Sequence, residues 1–182
     1  MQNLFTTISE LVPALSNLFL KSLEQGLVFG IMALGVYITF KILNFADLTV
    51  DGSFPLGAAV ASSLIVSGQS PFLATFIAFI AGALAGAVTG LLNTKAKISD
   101  LLSGILTMTS LYSINLRIMG RPNTPLLNQP TIYSVISEFF NRALPSFPTK
   151  YTYIIFFVIF ALLVKILLDA FLKTQMGFAL RA

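Results

Sequence analysis

The stretch NFADLTVDGSFPLG, residues Asn44–Gly57, decides how this chain is read. It places two carboxylates, Asp47 and Asp51, between two apolar runs, one ending at about Phe40 and the other covering about Phe54 to Val66. Gly52 and Pro55 interrupt a helix running through from the first run to the second. The fragment therefore either faces water or lines a space that a polar solute enters. A helix from Phe54 to Val66, rising ~1.5 Å per residue, falls well short of a ~30 Å hydrocarbon core. Completing that crossing draws part of residues 44–53 to membrane depth. Non-helical backbone is tolerated there only where protein covers it or a cavity adjoins it, because an orphan amide facing lipid costs several kcal/mol.

The membrane setting follows from composition. Of the 182 residues, 56% are hydrophobic and 10% charged, with a mean hydropathy of +0.88. Soluble domains carry about 25% charged residues. The chain has 17 Phe and 12 Gly but no His and no Cys, so thiolate, imidazole and soft-metal chemistry have nothing to work with. We expect no catalytic residue, no metal and no cofactor. The formal charge of +4 suits loops beside anionic lipid and is too small for a nucleic-acid footprint, so no nucleic-acid partner is expected. The N-terminus, MQNLFTTISELVPALSNLFL, has neither a basic leader nor a small-residue cleavage site, and the first span is expected to stay in place.

Working outward, the sequence predicts an all-α, polytopic membrane helix bundle of about five segments, one of them broken near Asn44–Ser53. The segments are Leu18–Phe40, Phe54–Val66, Pro71–Leu92, Leu101–Met119 and Tyr151–Phe171. Pro71 suits a first helical turn, where its missing N–H is not needed. Between the last two segments, TIYSVISEFFNRAL fits a short amphipathic surface helix with Ile132, Val135, Ile136, Phe139 and Phe140 on one side. Lys95 and Lys97 favour a cytoplasmic NTKAKISD turn between the third and fourth segments, which puts the N-terminus and the long Pro-rich loop outside and the C-terminus inside. Gly82, Gly86 and Gly90 recur every fourth residue, as do Gly26 and Gly30, and predict close helix contacts. Asn115, with Ser110 and Ser113, predicts interhelical hydrogen bonding.

Two readings of the carboxylates stand side by side. In one, Asp51 or Ser53 caps the helix that Pro55 opens, and Asp47 is a hydrated turn residue. In the other, the broken segment offers helix ends and free carbonyls to a solute, as broken transporter helices do, and an acid placed there at a cost of roughly 2.5–3.5 kcal/mol is functional. The second reading makes Asn44, Asp47, Thr49, Asp51 and Gly52 the candidate substrate pathway.

Three long motifs carry a family resemblance: NFADLTVDGSFPLGAA at Asn44–Ala59, GALAGAVTGLLNTKAKISDLLSGILTM at Gly82–Met108, and LRIMGRPNTPLL at Leu116–Leu127. From Leu23 onward the chain resembles bacterial ABC-importer permeases of the branched-chain amino acid and ribose type, and within them the tryptophan or tyrosine permease subgroup. The resemblance implies a multi-pass permease of the bacterial plasma (inner) membrane for an amino acid or similar small polar solute. Implied partners are a second permease copy forming a dimer, a cytoplasmic ABC ATPase and an extracytoplasmic solute-binding protein, the last docking on the long loop from Arg121 to Lys150. No G-x-x-x-x-G-K-[ST] loop is present, so ATP hydrolysis is assigned to the partner and the chain is expected to be no enzyme. The tail KTQMGFALRA is similar to the opening of the element that contacts the ATPase, which marks Gly177, Phe178 and Arg181 as coupling residues. Family members continue with further membrane helices, so residues 1–182 are expected to be one transmembrane domain cut within that element. An ion- or proton-coupled carrier or channel using Glu24, Asp47 and Asp51, and a non-transporting scaffold subunit, are the alternative readings.

Overall fold

The computed structural model describes residues 2–127, 129–143, 149–175 and 177. Its elements are α1 (Gln2–Tyr37), a π-helical turn (Ile38–Ile42), α2 (Val50–Val66), α3 (Pro71–Thr94), α4 (Asp100–Met119), α5 (Ile132–Ala143) and α6 (Thr149–Leu172). The described residues contain no strand, and the all-α membrane architecture holds. Three helical stretches are long and apolar enough to cross a membrane: Ala14–Ile42, Pro71–Thr94 and Thr152–Leu172. α2 is apolar but has 17 residues, which at ~1.5 Å each is about 25 Å. α4 has the length of a span, but Ser103, Thr107, Thr109, Ser110, Ser113 and Asn115 lower its hydropathy below that of the three long spans.

Two compact units emerge. The first comprises residues 1–34 and 136–179. In it, Gly26, Leu27, Gly30 and Leu34 of α1 and Val158, Ala161, Leu162 and Lys165 of α6 line a groove of 320 Å³. Phe156 of α6 sets its ring edge-on to Phe157 at 5.6 Å and parallel to Phe160 at 6.2 Å.

The second unit, residues 35–135, is built on α2, α3 and α4. Ser70 caps α3 by accepting the Leu73 amide, and Pro71 takes the first helical position, as its ring geometry favours. α3 and α4 are joined by a tight turn in which Lys97 takes φ 56°. Asn93 holds that turn closed, its Nδ2 donating to the Ile98 carbonyl at 3.0 Å and to Asp100 Oδ1 at 2.6 Å. The apolar core is small: Leu56, Ala85 and Leu111, with Val60, Ala81 and Ile118 packed against them. Around it the usual soluble pattern is reversed. Thr89 is 1% exposed and Ser103 0%, whereas Phe79 is 73% and Phe76 64% exposed. Large apolar side chains pointing outward over polar, small-residue contacts are what a bilayer solvent selects.

The break expected near Asn44–Ser53 is present and spans residues 43–49, because α2 already begins at Val50 and accommodates Pro55 near its start. Two expectations are corrected. Neither Asp51 nor Ser53 caps α2; Thr49 occupies that position, without a side-chain capping bond. The glycine stripes meet nothing within 4 Å among the described residues, since Gly82, Gly86 and Gly90 each follow by one position, about 100° round the helix, the inward-facing Ala81, Ala85 and Thr89.

Candidate functional site

The interruption is written in local chemistry. The π-helical turn ends when the Leu43 amide reaches the Ile38 carbonyl at 3.0 Å and Asn44 takes φ 51°. Asparagine is, after glycine, the residue best suited to this left-handed helix exit. Phe45 then donates its amide back to the Thr39 carbonyl at 2.9 Å, and Asp47 donates its own to the Phe45 carbonyl at 2.9 Å. Asp47 Oδ1 accepts the Thr49 amide at 2.8 Å, a tight Asx turn that delivers the chain into α2. Thr49 in turn gives its carbonyl to the Gly52 and Ser53 amides, at 2.9 and 2.8 Å. Every second amide from Leu43 to Thr49 is thus satisfied by the preceding helical turn or within the segment itself.

Long-range contacts hold this segment to the bundle. Thr49 Oγ1 lies 2.7 Å from Thr89 Oγ1 on α3, and Thr89 donates to Thr107 Oγ1 on α4 at 2.9 Å. Thr107 donates to the Ser103 carbonyl at 3.0 Å. Each hydroxyl has one proton. Thr89 also reaches the Ala85 carbonyl of its own helix at 3.3 Å, so the three hydroxyls form a linked chain from the interruption to α3 and α4. All three threonines are buried.

Two glycines permit contacts that side chains would block. A Cβ on Gly104 of α4 would stand 2.8 Å from the Leu48 backbone nitrogen. One on Gly52 would stand 2.9 Å from Met108 Cα and 3.2 Å from Leu111 Cβ. The start of α2 is therefore pressed backbone-first onto α4. Asn115, buried on α4, donates from Nδ2 to the Gly52 carbonyl at 3.3 Å, the interhelical bond expected of it. Ser110 bonds instead to the Leu106 carbonyl of its own helix at 2.8 Å.

Beside this junction opens a cleft of 370 Å³ lined by Asp51, Gly52 and Pro55 of α2 and by Met108, Thr109, Tyr112 and Asn115 of α4. Asp51 stands in the first turn of α2, where the helix dipole favours a negative charge. Of the expected pathway residues, Asp51 and Gly52 line the cleft, and Thr49 anchors the segment that leads into it. Asp47 shapes the turn, and Asn44 forms the exposed helix exit. Gly177 is buried, its amide donating to Thr174 Oγ1 at 3.4 Å, while Phe178 and Arg181 lie outside the described residues. Thr89, Ser103, Gly104, Thr107 and Asn115 were not among the expected site residues. On α4 the spacing Ser103, Thr107, Leu111, Asn115, a strict four-residue row, was the signal that marked one face as the protein-facing side.

A family model described as branched-chain amino acid transport system / permease component matches residues 18–182. The tyrosine transport system permease protein of Clostridioides difficile (strain R20291) is 46% identical over 159 residues, 87% of this chain and 49% of that protein. An uncharacterized protein of Rickettsia prowazekii (strain Madrid E) is 42% identical over 120 residues, 66% of this chain and 42% of that protein. The chain spans less than half the length of these curated relatives. No solved structure matches it significantly.

Proposed function

The chain belongs to the branched-chain amino acid transport system / permease component family, and from that premise we propose that it forms the membrane-spanning part of an ABC importer for an amino acid. In this proposal the solute passes beside the interrupted segment, through a route that includes Asp47, Thr49, Asp51 and Gly52, with Asn44 setting the direction of the break. The observation that carries it is the junction itself. A seven-residue interruption, 43–49, bonds its Leu43, Phe45, Asp47 and Thr49 amides locally, is pinned by buried hydroxyls and lies next to a cleft that exposes a carboxylate. A structural loop needs the first two properties; the third, an acid on a cleft between helices of a membrane bundle, is what a polar solute requires.

The remaining parts of the proposal come from the family. A second permease copy, a cytoplasmic ATPase and an extracytoplasmic binding protein complete the assembly in a bacterial plasma membrane. ATP hydrolysis belongs to the partner, and Gly177, Phe178 and Arg181 contact it. Alternating access follows if the ATPase's closed and open states bind the inward- and outward-facing permease differently, since only differential affinity moves such an equilibrium. The name of the 46%-identical relative makes an aromatic amino acid the first solute to test.

The test is ATP-dependent uptake of labelled amino acids by the full-length permease reconstituted with its ATPase and binding protein. Asp51→Asn is expected to lower uptake, or uncouple it from ATP hydrolysis, at unchanged expression. Unchanged, ATP-coupled uptake in this variant returns Asp51 to a role in helix-dipole stabilisation alone. Uptake that survives ATP depletion and follows a proton or sodium gradient assigns the chain to an ion-coupled carrier instead.

A further inference from the structure

The cleft between α2 and α4 has a polarity that the permease reading does not explain by itself. Asn115 is 6% exposed, and its amide is turned so that Nδ2 serves the Gly52 carbonyl. Its Oδ1 is buried and has no hydrogen-bond partner among the described residues, although Asn115 lines the cleft. A buried amide oxygen left unpaired costs about 1–3 kcal/mol, so it is retained where something else supplies the donor. The charged group in the cleft lining is Asp51, also an acceptor when ionised. Thr109, also in the lining, spends its proton on its own helix, on the Ile105 and Leu106 carbonyls at 2.9 and 3.1 Å. Apart from the Tyr112 hydroxyl, which both donates and accepts, the polar groups left to the cleft are acceptors.

The remaining wall is Pro55, Met108 and the ring of Tyr112. The volume, 370 Å³, falls in the range of roughly 300–1,000 Å³ that holds small organic ligands. A bare metal cation needs neither that space nor apolar walls. A group rich in N–H donors, positively charged and carried on an apolar body, satisfies all of it at once.

We propose that this cleft receives the protonated amino group of the transported solute, with Asn115 Oδ1 and the Asp51 carboxylate as its acceptors and Met108 and Tyr112 against its carbon skeleton. The assignment rests on the permease reading and adds Asn115 as a specificity residue. A solute that keeps its ammonium group and lacks its carboxylate is recognised here. One that keeps only the carboxylate is not.

Residues 1–182 contain no cysteine, so a thiol placed in the cleft is the only one in this part of the polypeptide, and the importer without it is the labelling blank. Thr109→Cys is the chosen position, since its hydroxyl bonds only within α4. In the assembled importer, labelling by a cationic methanethiosulfonate reagent is expected to run about tenfold faster than by an anionic one of similar size, the local field concentrating cations. Phenylalanine and 2-phenylethylamine should each slow the labelling severalfold, and 3-phenylpropionate should leave it unchanged. Adding Asn115→Leu should abolish that protection. Equal rates for the two reagents, protection by 3-phenylpropionate, protection by sodium ion irrespective of amine, or no reaction of either reagent overturns the assignment. If Asn115→Leu fails to assemble, the three-solute comparison in the Thr109→Cys protein decides alone. An assembly that imports amino acids yet shows no amine protection sinks this inference only; one that imports none sinks the permease reading beneath it.

Discussion

Replacing Gly104 by alanine tests the geometry on which the site depends. The added Cβ would lie 2.8 Å from the Leu48 nitrogen and 3.5 Å from Leu48 Cα and Cβ. The obstructing atom is backbone, so no rotamer change relieves it. Either α4 or the interrupted segment must move by several tenths of an ångström, and such overpacking costs about 1–3 kcal/mol. Against this, alanine is a better helix former than glycine by about 1 kcal/mol. Gly57→Ala in α2 is the matched control: the same propensity gain applies, and a Cβ there meets nothing within 4 Å. The two variants should therefore differ by about 1–3 kcal/mol, with Gly57→Ala the more stable. At roughly 2–4 °C per kcal/mol for a chain of this size, thermal unfolding of the detergent-solubilised full-length protein should separate them by about 5 °C. Equal midpoints for the two alanine variants refute the claim that the segment before α2 is pressed onto α4.

Thr89→Val removes the hub of the hydroxyl chain and breaks its bonds to Thr49 and Thr107; two bonds at about 0.6–1.5 kcal/mol each predict a loss of about 1–3 kcal/mol, read by the same melting assay, with Thr89→Ser close to wild type. Asp47→Ala deletes the acceptor of the Thr49 amide and should cost about 1 kcal/mol, whereas Asp47→Asn keeps an oxygen there and should be nearly neutral in stability. Any fall in uptake in Asp47→Asn then reports the lost charge and not a lost turn. Asp51→Asn should change stability by less than about 0.5 kcal/mol, because its carboxylate is exposed, so a transport defect in that variant is separable from misfolding.

Much of this architecture was legible because it is local. The helix at Pro71–Thr94 follows from a capping Ser70 and an N-terminal proline, and Ile132–Ala143 follows from its apolar period. The existence of a break after Phe40 was legible too, since Asn44, Gly52 and Pro55 all disfavour an uninterrupted helix. Its limits were not. Pro55 marks a helix start in sequence, yet one turn of helix can precede a proline, and α2 uses that turn to begin at Val50. What could not be read was the partner of each polar residue. Thr49, Thr89 and Thr107 are 40 and 18 residues apart in sequence, and no period links them. The glycine stripes misled for the complementary reason: a spacing of four says that residues share a face and leaves open which face.

The junction divides its tasks between atoms in a way that bears on movement. The backbone amides of Leu43, Phe45, Asp47 and Thr49 are satisfied locally, so these turns of the interruption do not depend on its neighbours. Its attachment to the bundle is different in kind. It rests on Gly104 and Gly52, whose contacts are steric, and on a chain of three buried hydroxyls. Steric contacts resist compression but not separation, and neutral hydroxyl bonds are worth only about 1 kcal/mol apiece. An attachment of this sort defines one position sharply and still releases at modest cost, which a deep apolar core would not permit. The small core of Leu56, Ala85 and Leu111 fits the same logic: the unit that carries the cleft is held largely by polarity and shape where α2 meets α4.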